Sequence, residues 1–468
     1  MPTLLRRAQK RRKVASRSKL HFQIRRKKTL PSHFQGCLLH LMKVALFLLF
    51  PVALLTPLGA LPNAVLGALA QHESPLNGED LTDAILASAL WDGSEALPGE
   101  WEADAGVATA SSGYLKARPK VFGLDALLVR ALHRNDRLEE IQITFADAGS
   151  FFGYLDQRLP SGMSREDGIV ERQKRLQLRK DEFTTLYAKT SEELTAQLTK
   201  IDAKPKQSKR GRTRDLRAEL SEYHEEKSGL VIHLLEAGDR LIRVSIHKRK
   251  TAPKSWLDSS LEELATRERL KALAARVTRS ERGDLVLDGV EIVPQGYRPY
   301  CGLNTLVMVA RYLGLHLDED WLAVAGKFEN TGSAAGSDML GLYSSVAREA
   351  RFNLNRKSSY DHETVRRSLR AGMPVIVWRR WDQSRDRLHT KVSRDFVRGR
   401  GAGYGRPEEE LLPSKKKRSP LHASVIIGYN DERKEVIFLE SWEGKSSPRR
   451  MPVSEMAHTA DLTFAFQP

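Results

Sequence analysis

Cysteine is nearly absent from this chain. Cys37 and Cys301 are the only two in 468 residues. Cys37 falls in a basic leader, so the folded part holds one. A single cysteine makes neither an internal disulfide nor a multi-cysteine metal site. Acid is absent from residues 1–43, which carry 13 of the 76 Lys and Arg residues, and residues 44–72 carry no charge of either sign. This uneven distribution explains the net charge of +17, because beyond the leader 63 basic residues face 59 acidic ones. That is an ordinary surface. With no zinc-finger spacing and no aromatic-rich basic sheet motif, no nucleic-acid partner is expected. Gly332 to Asp338 is a small-residue loop before a helix and could line a cleft, but it lacks the Gly-Lys-Ser/Thr ending of a phosphate-binding loop.

The N-terminus carries an address. From Val44 to Gln71 the chain is apolar, Lys43 precedes the run, and Ala68-Leu69-Ala70 closes it. Basic residues, an apolar run and a small-residue site make a secretory signal. Pro51, Pro57 and Pro62 argue against one long helix. The alternative is an uncleaved membrane anchor, since the run can span a bilayer of about 30 Å with its basic end inside. Met42-Lys43 would be a normal start for such a signal, with residues 1–41 then lying upstream of the true start; the alternative is a long basic n-region. Either reading sends the protein out of the cytoplasm, to periplasm, cell surface or medium.

The length suggests two or three domains. After the leader and signal (1–70), the pattern predicts an α+β domain over 71–252. It opens with a short helix at Leu81–Trp91 and holds hairpins at 126–145 and 230–246. Leu176, Phe183, Leu194, Leu198 and Ile201 recur at helical spacing, and Leu216, Leu220 and Tyr223 extend the pattern beyond a basic turn. A helical hairpin inserted at 164–227 is expected, with its charges forming a solvated face. Ser260-x-x-Glu263 has capping-box spacing and opens a connector helix within 253–284. A strand at 285–292 then begins a second domain, 285–468.

The chemistry lies in that last segment. Leu303, Leu306, Val307, Val309, Ala310 and Leu313 predict a helix over 302–313, with Cys301 at its N-terminus. Unpaired N–H groups and the helix dipole favour negative charge there. This lowers a thiol pKa, and the thiolate is the nucleophilic form. Gly302 lets a substrate carbonyl approach the backbone. Gln295 could offer a side-chain N–H to a developing oxyanion, beside the Cys301 backbone N–H. His422 opens a strand, Asn430-Asp431 makes a polar turn, and Val436–Leu439 forms a second strand, which places Glu440 across from His422. A carboxylate there orients an imidazole and stabilises its protonated form. His389 is a rival base but lacks the strand pattern around it. Residues 382–420 form a polar insertion ending in Lys415–Arg418. They read as a solvated loop, with a lid or a patch for acidic substrates as the functional alternative.

Gln295-x5-Cys301-Gly302 opening an apolar helix resembles the papain-like cysteine peptidases. His422-Ala-x4-Gly428-Tyr429, a second strand and then Ser441-Trp442 are similar to their histidine and asparagine segments. The long gap between these pieces and Pro374-Val-Ile-Val-Trp378 look most similar to the bacteriocin-processing (double-glycine leader) peptidase branch. The resemblance covers roughly 285–468. It implies a nucleophile helix packed on an antiparallel sheet that carries the base. By motif, Cys301 would be the nucleophile, His422 the general base and Gln295 the oxyanion donor. Glu440 stands where the family usually has Asn or Asp, and Trp442 would shield the His–Glu hydrogen bond. Neither the transporter's membrane domain nor its ATP-binding motif is present, so leader processing coupled to export is not expected.

These readings make the protein an exported, bacterial-type cysteine peptidase acting on a peptide or protein substrate, with no metal or organic cofactor implied. Two alternatives stay open: a non-catalytic peptide-binding module that keeps the groove, which Glu440 favours, and an amidase or acyl transferase on the same fold.

Overall fold

The computed structural model describes residues 73–152, 163–296, 298–328, 336–400, 403–404, 419–442 and 448–468. The leader and apolar segment, residues 332–335 and the Lys415–Arg418 run lie outside the described residues, and the readings attached to them lie there too. Among the described residues no helix is long and apolar enough to cross a membrane.

Strands β1 (Trp101–Val107) and β2 (Ala110–Leu115) precede a small ribbon, β3 (Lys120–Val121) with β4 (Leu124–Asp125). The two expected hairpins follow, β5 (Leu128–Arg134) with β6 (Arg137–Asp147), and later β9 (Leu230–Ala237) with β10 (Leu241–Lys248). They join one antiparallel sheet of order β1-β2-β5-β6-β10-β9-β8-β7, in which β7 is Lys206–Arg210 and β8 is Ala218–Glu225. The opening helix is split into Thr82–Leu86 and Ser88–Asp92.

The helical hairpin is half corrected. Its first arm is the helix Arg165–Ile201, whose N-cap Ser164 accepts the Asp167 N–H at 3.1 Å. The second arm is strand β8 instead. Ala218 and Leu220 are buried at alternate positions, and the free edge of β9 supplies a hydrogen-bonded ladder. Ladder and packing outrank a weak helical period. The connector is corrected as well. Asp258, not Ser260, caps a single turn at Ser259–Glu262, and a separate helix runs Thr266–Ala274. Residues 382–420 are not all loop, since Gln383–Val397 is a helix capped by Asp382. It buries Asp386, His389, Val392 and Ser393, a mostly polar stripe that an apolar-period search overlooks.

The second sheet uses β11 (Val277–Arg279), β12 (Asp284–Leu287), β13 (Asn353–Lys357), β14 (Val375–Arg380), β15 (Leu421–Asn430), β16 (Glu435–Glu440), β17 (Arg449–Pro452) and β18 (Ala460–Gln467). Its order is β11-β12-β15-β14-β18-β13, with β16 on the other edge of β15 and β17 beyond it. The expected strand at 285–292 ends at Leu287. Helix Cys301–Tyr312 lies on β14 and β15 and is buried on every side from Leu303 to Tyr312, because β1 and the helix Gly336–Glu349 also cover it. Helix and antiparallel sheet are therefore mixed throughout, an α+β arrangement.

The two sheets share one core. Leu235 and Leu241 of the first sheet, with Leu216 and Trp256 from its connections, cluster with Val425 of the second sheet and with Leu303 and Leu306 of the helix packed on it. Strand alternation sorts the faces of β10. Ile242, Val244 and Ile246 point to the core beneath the long helix, while Arg243, Ser245 and His247 are buried on the opposite face. Those polar groups need partners there. Arg243 finds Asp318, at 2.5 and 3.1 Å, at the start of helix Glu319–Ala325. Glu349, fully buried, accepts the N–H groups of Arg212 and Thr213 from the β7–β8 turn.

Candidate active site

Cys301 begins its helix, as the apolar spacing predicts. It is partly exposed, and His422 and the backbone N–H groups of Gly302 and Ala423 stand around its sulfur. Burial pushes the thiol up, but the His422 hydrogen bond and charge, with those N–H groups, outweigh it and leave the thiol below its ordinary value. The opposite sign holds at the imidazole. Burial pulls His422 down, but the Glu440 carboxylate and the bonds to Cys301 and Glu440 raise it to about 9. The Cys301 thiol is thus easier to ionise and the His422 ring easier to protonate than when free.

His422 Nε2 meets Glu440 Oε2 at 2.7 Å, which leaves Nδ1 for the sulfur. In the β15–β16 ladder Glu440 is paired with Ser424, two residues from His422, so it reaches the ring diagonally and not from directly opposite. Burial pushes Glu440 up, yet His422 and Arg379 hold it at about 2. Ser424 Oγ donates to Glu440 Oε2 at 2.9 Å. Arg379 Nη2 donates to Oε1 at 2.5 Å, and Arg379 Nε to Ser424 Oγ at 3.1 Å. Arg379 sits opposite His422 in the β14–β15 ladder. Arg379, His422, Ser424 and Glu440 therefore share one face of the sheet, all 9% exposed or less.

Arg379 and Ser424 did not emerge from the sequence. Ser424 was detectable, because residues two apart on a strand share a face. Arg379 was detectable as a charge closing an apolar strand run. Trp442 lies with its ring centroid 5.0 Å from that of His422, and the Arg449 guanidinium covers its other surroundings at 4.5 Å.

Gln295 is buried, and its N–H donates to the Ser441 carbonyl at 2.8 Å. Ser441 Oγ donates to Gln295 Oε1 at 2.8 Å, which sets the amide's orientation. Nε2 gives one proton to the Arg298 carbonyl at 3.2 Å and has a second to donate. Gly302 has a packing role as well. A β-carbon there would lie 3.2 Å from Met339 Cε, and Tyr343 Oη donates to the Gly302 carbonyl at 2.8 Å. Gly428 of the histidine motif lies where β12 crosses β15, and a β-carbon would come within 2.4 Å of the Leu285 carbonyl oxygen. His389 is buried on its helix and bonded to Glu455 at 2.9 Å, in the packing of Gln383–Val397 against Val453–Thr459.

Arg298, three residues before Cys301, is 1% exposed. It donates to Asp320 at 2.5 Å and Glu319 at 2.8 Å, and Asp147 of β6 lies 3.8 Å away. Burial and the neighbouring Asp147 push Asp320 up, against the pull of Arg298. Among the described residues no cluster of His, Cys, Asp and Glu suits a metal ion.

A cysteine at a helix N-terminus, an imidazole held by a buried carboxylate, and an oriented amide upstream are arranged as in a papain-like cysteine peptidase fold. Residues 287–462 match the model of the Peptidase_C39 like family, so this C-terminal segment carries a C39-like peptidase domain. A solved structure described as a C39-like peptidase from Bacillus anthracis aligns over 39% of this chain and 97% of that chain, at 14% identity and a TM-score of 0.26. No curated protein matches the chain.

Proposed function

We propose that this protein is an exported cysteine peptidase that hydrolyses peptide bonds with Cys301, His422, Glu440 and Gln295. The observation that carries this reading is the placement of His422 beside Cys301 with its Nε2 bonded to Glu440 at 2.7 Å. The Cys301 thiolate attacks the carbonyl carbon, and the C–S bond forms as the carbonyl electrons move to oxygen. The Cys301 N–H and the second Gln295 Nε2 proton receive the oxyanion. The tetrahedral intermediate collapses, the C–N bond breaks, and protonated His422 gives its proton to the leaving amine. Water then attacks the thioester, with neutral His422 taking its proton, and the carboxylate leaves as the thiol is restored. Ser424 and Arg379 satisfy the remaining lone pairs of Glu440, which supports catalysis over a groove that only binds. Export rests on the residue pattern of 43–71.

The test is the rate of Cys301 alkylation by iodoacetamide between about pH 4 and about pH 9, in wild type and His422→Ala. Fast alkylation below pH 7 that His422→Ala abolishes is expected, together with cleavage of a mixed peptide library read by mass spectrometry. An ordinary thiol titration in both proteins would overturn the reading.

A further inference from the structure

The N-terminal sheet touches the nucleophile-bearing segment 295–301 at two independent places. The first is ionic. Arg243 of β10 donates to Asp318 and, at 3.3 Å, to Asp320. Asp320 in turn holds Arg298 at 2.5 Å, and Asp147 of β6 flanks the same guanidinium. Arg298 and Gln295 are tied by three hydrogen bonds, one of them from Arg298 Nε to the Gln295 carbonyl at 3.4 Å. The Arg298 N–H donates to the Gln295 carbonyl at 3.2 Å, and the Arg298 carbonyl takes a proton of Gln295 Nε2. The second place is steric. Tyr300, adjacent to Cys301, packs so closely on Gly149, just after β6, that a β-carbon at 149 would lie 2.4 Å from the Tyr300 hydroxyl. Neither contact touches the sulfur, His422 or Glu440.

We infer that Arg298, bonded by Glu319 and by an Asp320 that Arg243 of the N-terminal sheet also binds, and flanked by Asp147 of that sheet, is a positioning residue that sets the Gln295 amide for the oxyanion. This assigns the N-terminal half a part in the catalytic centre, and it rests on the peptidase reading above. Its physical content is a separation of two properties. Thiolate formation depends on His422 and Glu440, while stabilisation of a tetrahedral oxyanion depends on the segment that the N-terminal sheet clamps. A donor displaced by about 1 Å loses about a hundredfold in rate.

The experiment compares two reactions of Cys301 in the full chain. Iodoacetamide alkylation needs the thiolate and no oxyanion donor. Acylation by p-nitrophenyl acetate passes through a tetrahedral oxyanion, expels p-nitrophenolate and leaves an acetyl thioester on Cys301. Arg243→Lys and Asp147→Asn, the second a near-isosteric change that still caps the following turn, are expected to slow acylation by tenfold or more. Alkylation should stay within about twofold of wild type. Gln295→Ala should show the same split, and acylation in Gln295→Ala/Asp147→Asn should be no slower than in Gln295→Ala alone. Wild-type acylation rates in both clamp variants, or an equal fall in both reactions, would overturn the inference and leave the peptidase reading standing. A wild-type thiol that alkylates no faster than free cysteine would overturn that reading and the inference with it.

Discussion

Glu440 meets His422 across a diagonal of the β15–β16 ladder. Its direct partner is Ser424, yet its carboxylate lies 2.7 Å from the imidazole Nε2. Diagonal neighbours in an antiparallel pair start about 7–8 Å apart. The additional methylene of glutamate over aspartate covers part of that span, so the departure from the usual Asn or Asp suits this register. Glu440→Asp should therefore impair the site although it keeps the charge. It is expected to slow alkylation of Cys301 at about pH 6 severalfold, through loss of the contact to His422. Retention of the full wild-type rate would mean that the chain length of residue 440 is immaterial.

Removing the charge altogether should do more. In Glu440→Gln the main influence raising His422 is gone, and burial then pulls the imidazole down. A fall of ~1–3 pH units is expected. The Cys301 thiol, which depends on the His422 charge, should titrate correspondingly higher. NMR titration of the His422 ring, read beside the alkylation profile, checks both shifts.

The pH dependence follows from these directions. In the proposed mechanism thiolate and imidazolium act together, so kcat/KM should rise as the lowered Cys301 ionises and fall as pH passes about 9, where His422 loses its proton. Stability should follow the same groups. The raised His422 contributes fully below its unfolded value near 6.5 and its contribution is lost as pH rises through about 9, a term of order ~3 kcal/mol. The lowered Glu440 contributes above its unfolded value near 4.5, and that contribution is lost as pH falls towards about 2. Chemical denaturation at several pH values should place the maximum between about pH 5 and about pH 6.5, and a maximum near pH 9 would contradict the assignment.

Arg379 is 2% exposed and holds Glu440 at 2.5 Å. Arg379→Met would leave a buried carboxylate with His422 as its remaining close cation, at a cost of ~3–5 kcal/mol. The denaturation midpoint should fall accordingly. In the protein that stays folded, Glu440 should titrate higher than in wild type.

Gly428 carries a separate prediction about the fold beneath the site. Gly428→Ala would press its β-carbon against the Leu285 carbonyl and part β12 from β15. A loss of ~1–3 kcal/mol is expected, measured by thermal unfolding. An unchanged midpoint would mean that β12 shifts freely.

Periodicity alone revealed the nucleophile helix, both hairpins and the strand pair that carries His422 and Glu440, because each is a local pattern of apolar residues at a fixed spacing. It also revealed Cys301, since the chain after its leader has one cysteine and that cysteine opens a helix. It misread 213–226 as helix, because Leu216, Leu220 and Tyr223 stand at helical spacing and the deciding partner, β9, comes from further along the chain. Arg379 and Arg298 stayed hidden for a related reason. A charge in sequence reads as surface until its buried partners, Glu440 in one case and Asp320 in the other, are brought to it from 61 and 22 residues away. The sequence by itself determined which residues can ionise, donate and attack. The tertiary structure decided which carboxylate meets which cation, that Glu440 reaches His422 on a diagonal, and that a distant sheet grips the segment before the nucleophile. Burial enforces those pairings, because a charge removed from water must be matched by whatever the fold places beside it.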